Sequence, residues 1–198
     1  MRIQLIFLFC ISNSLHAMEK QNSLVEAALS NNVLLIQQLV EIEETDPNKP
    51  NQHGVFPLIA AYNNGQRAAF EKLLALKANP GIKIKDAPLL VQSVVDNQFL
   101  FFKMILEAKP ELNSTDCWGE TALMKAAKYG RKAFVTELVI QRANTTLKDN
   151  NGNTAQTLCM KSLWIVSNEI RTSIAELLTS PHKTKKPLVK ANTLSISV

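Results

Sequence analysis

The side chains able to do chemistry are few and scattered. The histidines are His16, His53 and His182, and the cysteines are Cys10, Cys117 and Cys159. A cysteine nucleophile needs a base within hydrogen-bond reach, and pairing Cys117 with His53 would have to span two periods of the repeat described below. Glu41, Glu43, Glu44 and Asp46 cluster, and carboxylates hold calcium. They lack the alternating spacing and glycine of a calcium loop, so they read as a solvated helix end. No CxxC, HExxH, Walker-type loop or GxGxxG occurs. The sequence therefore predicts no catalytic residue, no cofactor site and no metal site. Asn113-Ser114-Thr115 and Asn144-Thr145-Thr146 fit the N-glycosylation pattern, which is common by chance.

Whatever the chain does, its elements must bury a core. Of its 198 residues 46% are hydrophobic and 20% charged, a globular balance rather than a fibrous or disordered one. The net charge of +5 is modest. His182, Lys183, Lys185, Lys186 and Lys190 crowd the last residues, which reads as a solvated, disordered basic tail over 181–198 rather than a nucleic-acid arm. The first seventeen residues differ again. Arg2 precedes the apolar run Ile3 to Ile11, then Ser12-Asn13-Ser14 and Leu15-His16-Ala17 follow. This order describes a secretory signal peptide cut after Ala17, since a bilayer span needs about twenty apolar residues. The cut removes Arg2 and no acid, lowering +5 to +4. It also predicts an exported protein, periplasmic or secreted, without a membrane anchor.

The rest of the chain is periodic. Asp116, Gly119, Thr121 and Ala122 recur one period on, in the same order and spacing, as Asp149, Gly152, Thr154 and Ala155. Gly54-Val55-Phe56-Pro57-Leu58 begins an earlier copy. Pro88 to Asn97 and Phe99 to Glu107 supply a copy between them, with Asp86 at the glycine position and hence a weak turn. Leu24 to Val40 supplies the first. In each copy a glycine serves the tight turn, a threonine such as Thr121 or Thr154 caps the following helix, and Pro57 suits a helix's first turn. Small pairs such as Ala27-Ala28 and Ala126-Ala127 let helices approach closely. Apolar stripes at i, i+3, i+4 mark the second helices: Phe70, Leu73, Leu74; Phe101, Phe102, Ile105, Leu106; Phe134, Val135, Leu138, Val139. The last copy loses its turn glycine at Leu163-Trp164-Ile165-Val166 and ends on Ile170, Ile174, Leu177 and Leu178, which reads as a terminal cap.

A turn plus two helices at a period of about 33 resembles the ankyrin-repeat family. The likeness covers roughly residues 23–180, after a short segment 18–22. It implies an all-α ankyrin-repeat solenoid of about five helix-turn-helix units, near 23–50, 51–83, 84–115, 116–148 and 149–180, with atypical ends. Ala122 and Met124 stand where the family pattern has proline and histidine, and Phe56 and Ile59 replace its threonine and histidine. These departures predict a weakened capping network. The resemblance further implies binding through turn tips and first-helix faces. Carried over, that gives Gln52, His53, Val55, Asn63 and Asn64 in the second unit. It gives Cys117, Trp118, Glu120, Lys128 and Tyr129 in the fourth, and Asn150, Asn151 and Asn153 in the fifth. Trp118 and Tyr129 stand out because aromatics dominate interface hot spots. Cys117 falls at a turn tip and Cys159 in the next first helix, so two free thiols are expected, one exposed and one buried.

The expected function is a non-catalytic, monomeric, exported scaffold binding a protein partner. The alternatives are a dedicated inhibitor or stabiliser of one exported enzyme, or a host-directed adaptor.

Overall fold

The computed structural model describes residues 2–162 and 167–179, with side chains from residue 16 onward. The chain forms two compact units, Met1–Glu111 and Leu112–Val198. In the first, helix α1 (Arg2–Leu29) is followed by α2 (Val33–Gln37), which continues into a π-helical turn (Gln38–Ile42). Then come α3 (Pro57–Asn63), α4 (Arg67–Ala75), a hairpin of β1 (Lys83–Ile84) and β2 (Ala87–Pro88), α5 (Leu89–Val95) and α6 (Phe99–Glu107). The second unit holds α7 (Ala122–Lys128), α8 (Lys132–Ile140), α9 (Ala155–Lys161) and α10 (Asn168–Thr179). No helix of the described residues is long and apolar enough to cross a membrane.

Helices pair as the periodicity predicts: α3 on α4, α5 on α6, α7 on α8, with α1 on α3 and α7 on α9 joining successive first helices. Alanine makes those close approaches, and Ala27, Ala28, Ala60, Ala61, Ala126 and Ala127 are all buried. In the first unit the second helices bring Phe70 and Phe101 edge to face at 4.9 Å, with Tyr62 against Phe101 at 5.2 Å, a geometry favoured by the ring quadrupole. The Tyr62 hydroxyl donates to Asp96 Oδ2 at 2.8 Å. Burial first, then this bond to a carboxylate, pushes the Tyr62 phenol well above its usual pKa.

Residues of positive φ turn the chain at three kinds of place in the repeat. First helices end on Asn31, Gly65, Asn97 and Gly130, second helices on Glu44, Lys77, Lys109 and Arg142, and the turn tips use Gly54, Asp86, Gly119 and Gly152. The third tip is therefore not weak in the way its missing glycine predicts. Lys85 (φ 48°) and Asp86 (φ 67°) both take the left-handed region and close the β1–β2 hairpin, with Lys83 opposite Pro88 and Ile84 opposite Ala87. Two central residues of positive φ are what a two-residue hairpin turn demands.

The capping network survives its substitution in the fourth repeat and is lost, as expected, in the second. Thr121 Oγ1 accepts from Met124 N at 3.3 Å, while Thr121 N donates to Met124 Sδ at 3.4 Å. A thioether thus fills the role of the family's histidine as a weak acceptor. Phe56 gives no side-chain cap, and Pro57 at the first turn removes one of the amides that would need one. Helix α4 is capped from the preceding repeat, where Asn31 Oδ1 accepts from Ala69 N at 2.8 Å and Gln66 Nε2 donates to Leu29 O at 3.0 Å. The loops are tied likewise. Asn48 Nδ2 donates to Lys77 O (3.1 Å) and its Oδ1 accepts from Asn79 N (2.6 Å); in the second unit Asn113 Oδ1 accepts from Asn144 N (2.9 Å).

In α10, Ile174 and Leu178 are buried, but Ile170 is exposed and Leu177 half-buried, so the closing stripe is narrower than predicted. The interrupting residues 163–166 and the tail 181–198 lie outside the described residues.

The left-handed region costs a non-glycine residue about 1–2 kcal/mol, and glycine's greater chain entropy when unfolded offsets about 0.5–1 kcal/mol of what relieving it would gain. Lys77 and Arg142 are exposed helix ends. Lys77→Gly and Arg142→Gly should each therefore raise stability by about 0.5–1 kcal/mol, read as a higher urea midpoint at unchanged slope.

Candidate protein-binding surface

Apart from the hairpin tip of the third repeat, the described turn tips are each built on one Asp or Asn. Asp116 Oδ1 accepts from Trp118 N (3.0 Å) and Glu120 N (2.9 Å), and Asp116 N donates to Glu120 O (3.1 Å). Asp149 repeats this with Asn151 N (2.9 Å) and Asn153 N (2.7 Å). In the first unit Asn51 does the same for His53 N and Val55 N, both at 3.0 Å. The side chain satisfies amides that the reversal leaves without backbone partners. The Asp149 carboxyl is held below its usual pKa, chiefly by the Asn153 side chain. Neighbouring tips in the second unit are also joined: Asn150 N donates to Trp118 O (3.1 Å) and Asn150 Nδ2 to Cys117 O (3.1 Å). A Cβ on Gly119 would come within 3.0 Å of Asn150 N, so this glycine serves close approach as well as φ.

With its backbone so used, the Trp118 side chain stands out, 62% exposed. Lys125 Nζ lies 4.7 Å from its ring centroid, a cation–π arrangement. Cys117, Asn150 and Asn151 are exposed; Tyr129 and Lys128 are half-buried, with Arg131 Cζ 5.0 Å from the Tyr129 ring. In the first unit Gln52, His53, Val55, Asn63 and Asn64 are all exposed, and the Gln52 amide nitrogen meets His53 Nε2 at 3.1 Å.

Glu120 and Asn153 depart from the expected surface, being only 4% and 8% exposed. Both occupy the fourth position after the tip's Asp, where the side chain turns inward onto a lysine. Glu120 pairs with Lys128 at 2.8 Å and with Lys125, and Lys125 also reaches Asp116 Oδ2 at 2.8 Å. Asn153 meets both Asp149 oxygens (3.1 and 3.0 Å) and Lys161 Nζ (2.5 Å). Lys128 is thus already engaged, and these residues build the tip from beneath. Lys125, which sequence reasoning passed over, is the centre of the cluster and only 5% exposed. Its signal is a lone cation in the apolar run Ala122 to Ala127. The recurrence of Glu120 with Lys128 as Asn153 with Lys161, one repeat on, marks the wider pattern.

Among the described residues, no three His, Cys, Asp or Glu side chains gather as metal ligands. Glu41 accepts from Gln37 (2.7 Å) and Glu43 lies 3.6 Å from Lys20. Cys117 is exposed and free and Cys159 buried and free, as the repeat geometry predicts. Burial pushes the Cys159 thiol up, against a smaller opposite pull from Arg171.

Burial pulls the Lys125 ammonium down, but hydrogen bonds to Asp116 and Glu120 outweigh it and lift its pKa above the ordinary lysine value. Its contribution is therefore complete below about pH 10.4 and fades only as pH rises through the raised value. Removing one partner of a buried charge set costs about 3–5 kcal/mol. Lys125→Met should accordingly destabilise the protein by about 3 kcal/mol, Lys128 still serving Glu120; an unchanged denaturant midpoint would remove the cluster from the stability account.

Residues 90–187 match the family model for ankyrin repeats (3 copies). Ankyrin repeats are generally protein–protein interaction modules, and the family is generally non-catalytic. Before residue 90 the same tip geometry occurs at Asn51, and the same left-handed helix ends occur at Asn31 and Glu44 in the first repeat and at Gly65 and Lys77 in the second. This chain is an ankyrin-repeat protein, and its fold class is the all-α repeat solenoid.

Proposed function

We propose that this protein is an exported scaffold that binds a protein partner through its turn tips and first-helix faces, acting as a monomer without chemistry of its own. The observation that carries the reading is Trp118. A large apolar ring stands in solvent, on a tip whose amides at Asp116, Trp118, Gly119 and Glu120 are hydrogen-bonded and whose base is a buried charge cluster. Such a ring offers contact area at little entropic cost, because the tip beneath it is already ordered. Tyr129, Cys117, Asn150 and Asn151 extend this surface in the second unit. In the first unit, Gln52, His53, Val55, Asn63 and Asn64 form the corresponding surface. Glu120, Lys128 and Asn153 support the tips rather than touch the partner.

Export rests on the order of residues 1–17: one cation, a short apolar run and a small residue before the cut. N-terminal sequencing of exported protein should find Met18 first, whereas a retained Met1 overturns the cut. Trp118→Ala combined with Tyr129→Ala should remove the captured partner in a pull-down while leaving the melting temperature within a few degrees. Unchanged capture would refute this surface.

A further inference from the structure

A cleft of about 590 Å³ opens beside α1, where the sequence places the signal cut. One wall carries His16, Ala17, Met18 and Lys20, and the other runs from Glu43 to Asp46 and on to Lys49. The walls are tied together: Lys20 Nζ lies 3.6 Å from Glu43 Oε2 and 3.4 Å from Glu43 O, and Gln21 Nε2 donates to Lys49 O at 2.6 Å. The titratable groups facing the cleft are Glu43, Glu44 and Asp46 against Lys20 and Lys49, with His16 on the part that the cut removes. Three carboxylates against two ammoniums leave one negative charge in excess. Thr45 lines the same cleft, is 7% exposed, and its Oγ1 has no hydrogen-bond partner among the described residues. A buried hydroxyl without a partner is an unmet polar group that a ligand can satisfy. A site one positive charge short, with a spare hydroxyl oxygen, suits a primary ammonium.

Cleavage after Ala17 makes one at this place. It would also begin α1 at Met18, putting a new positive charge at the end of the helix where the peptide dipoles are already positive. Carboxylates on the facing wall offset that. We propose that this cleft seats the α-ammonium of Met18 once the chain is cut, so that processing completes the first repeat. The proposal rests on the export reading above.

The full chain is expressed in an exporting bacterial host, the processed protein is collected, and its N-terminus is fixed by mass. Trace acetylation of the N-terminal peptide across pH then reads the α-amine. It should titrate at least half a unit above the ordinary 7.7–8.0, about a threefold shift in proton affinity. Glu44→Gln with Asp46→Asn should return it to that range, and Thr45→Val, which keeps the shape, should lower it in part. Because folding raises this pKa, the stabilisation is complete below about pH 7.7 and is lost as pH rises through the raised value. The natural protein should therefore lose more melting temperature between pH 7 and pH 10 than the double variant. Protein beginning at Met18 with an ordinary amine, unmoved by these substitutions, overturns the seat and leaves export standing. A retained Met1 overturns both.

Discussion

Reversal of the chain by single left-handed residues lets each short repeat hold two antiparallel helices and a tip. The second and fourth repeats use three such residues, at the two helix ends and the turn, and the third uses four because its hairpin tip takes two. Glycine takes only some of these places. Asparagine ends the first helices at positions 31 and 97, and lysine, arginine or glutamate end the second helices. The strain is local and is offset by what each reversal secures, namely buried first-helix alanines on one side and aromatic or aliphatic second-helix side chains on the other. Asn31 does both jobs at once, since the residue that turns the chain also caps the next repeat's second helix.

The tips show how a polar surface is held rigid by buried charge. Asp116 turns one oxygen to two amides and the other to Lys125, which also meets Glu120. Desolvation of these groups takes place during folding rather than at a binding encounter. The fifth repeat replaces Glu120 by Asn153 and Lys125 by Leu158 but keeps the outer lysine as Lys161, so the same architecture runs there with two charged groups fewer.

The fold is legible in the sequence because its signals are spaced evenly. Asp, Gly, Thr and Ala recur at one fixed interval, and the stripes of Phe70, Phe101 and Phe134 fall on buried helix faces. The departures share one cause: residue identity is a poor guide where backbone context decides. Asp86 reads as a poor turn, yet with Lys85 it closes a hairpin. Met124 reads as the loss of a histidine, yet its sulfur still takes the amide. Glu120 and Asn153 read as outward-facing like their tip neighbours. Four residues past the Asp, however, the chain has already entered the helix approach, and the side chain faces in. Periodicity gives the position of a residue in the repeat; which way its side chain turns depends on a lysine further along the first helix, Lys128 or Lys161.

The first repeat has an irregular second helix, passing into a π-helical turn, and leaves Leu34 and Ile42 widely exposed. An end repeat packed on one side only would ordinarily open first. Here four side-chain bonds cross to the second repeat: from Gln66, from Asn31, and two from Asn48. They fasten helix cap, helix end and loop together, so the second helix of the second repeat has no amide cap of its own to keep if the first repeat leaves. Opening of the first repeat therefore strips the Ala69 and Asn79 amides of their side-chain acceptors, which couples the opening of the two repeats.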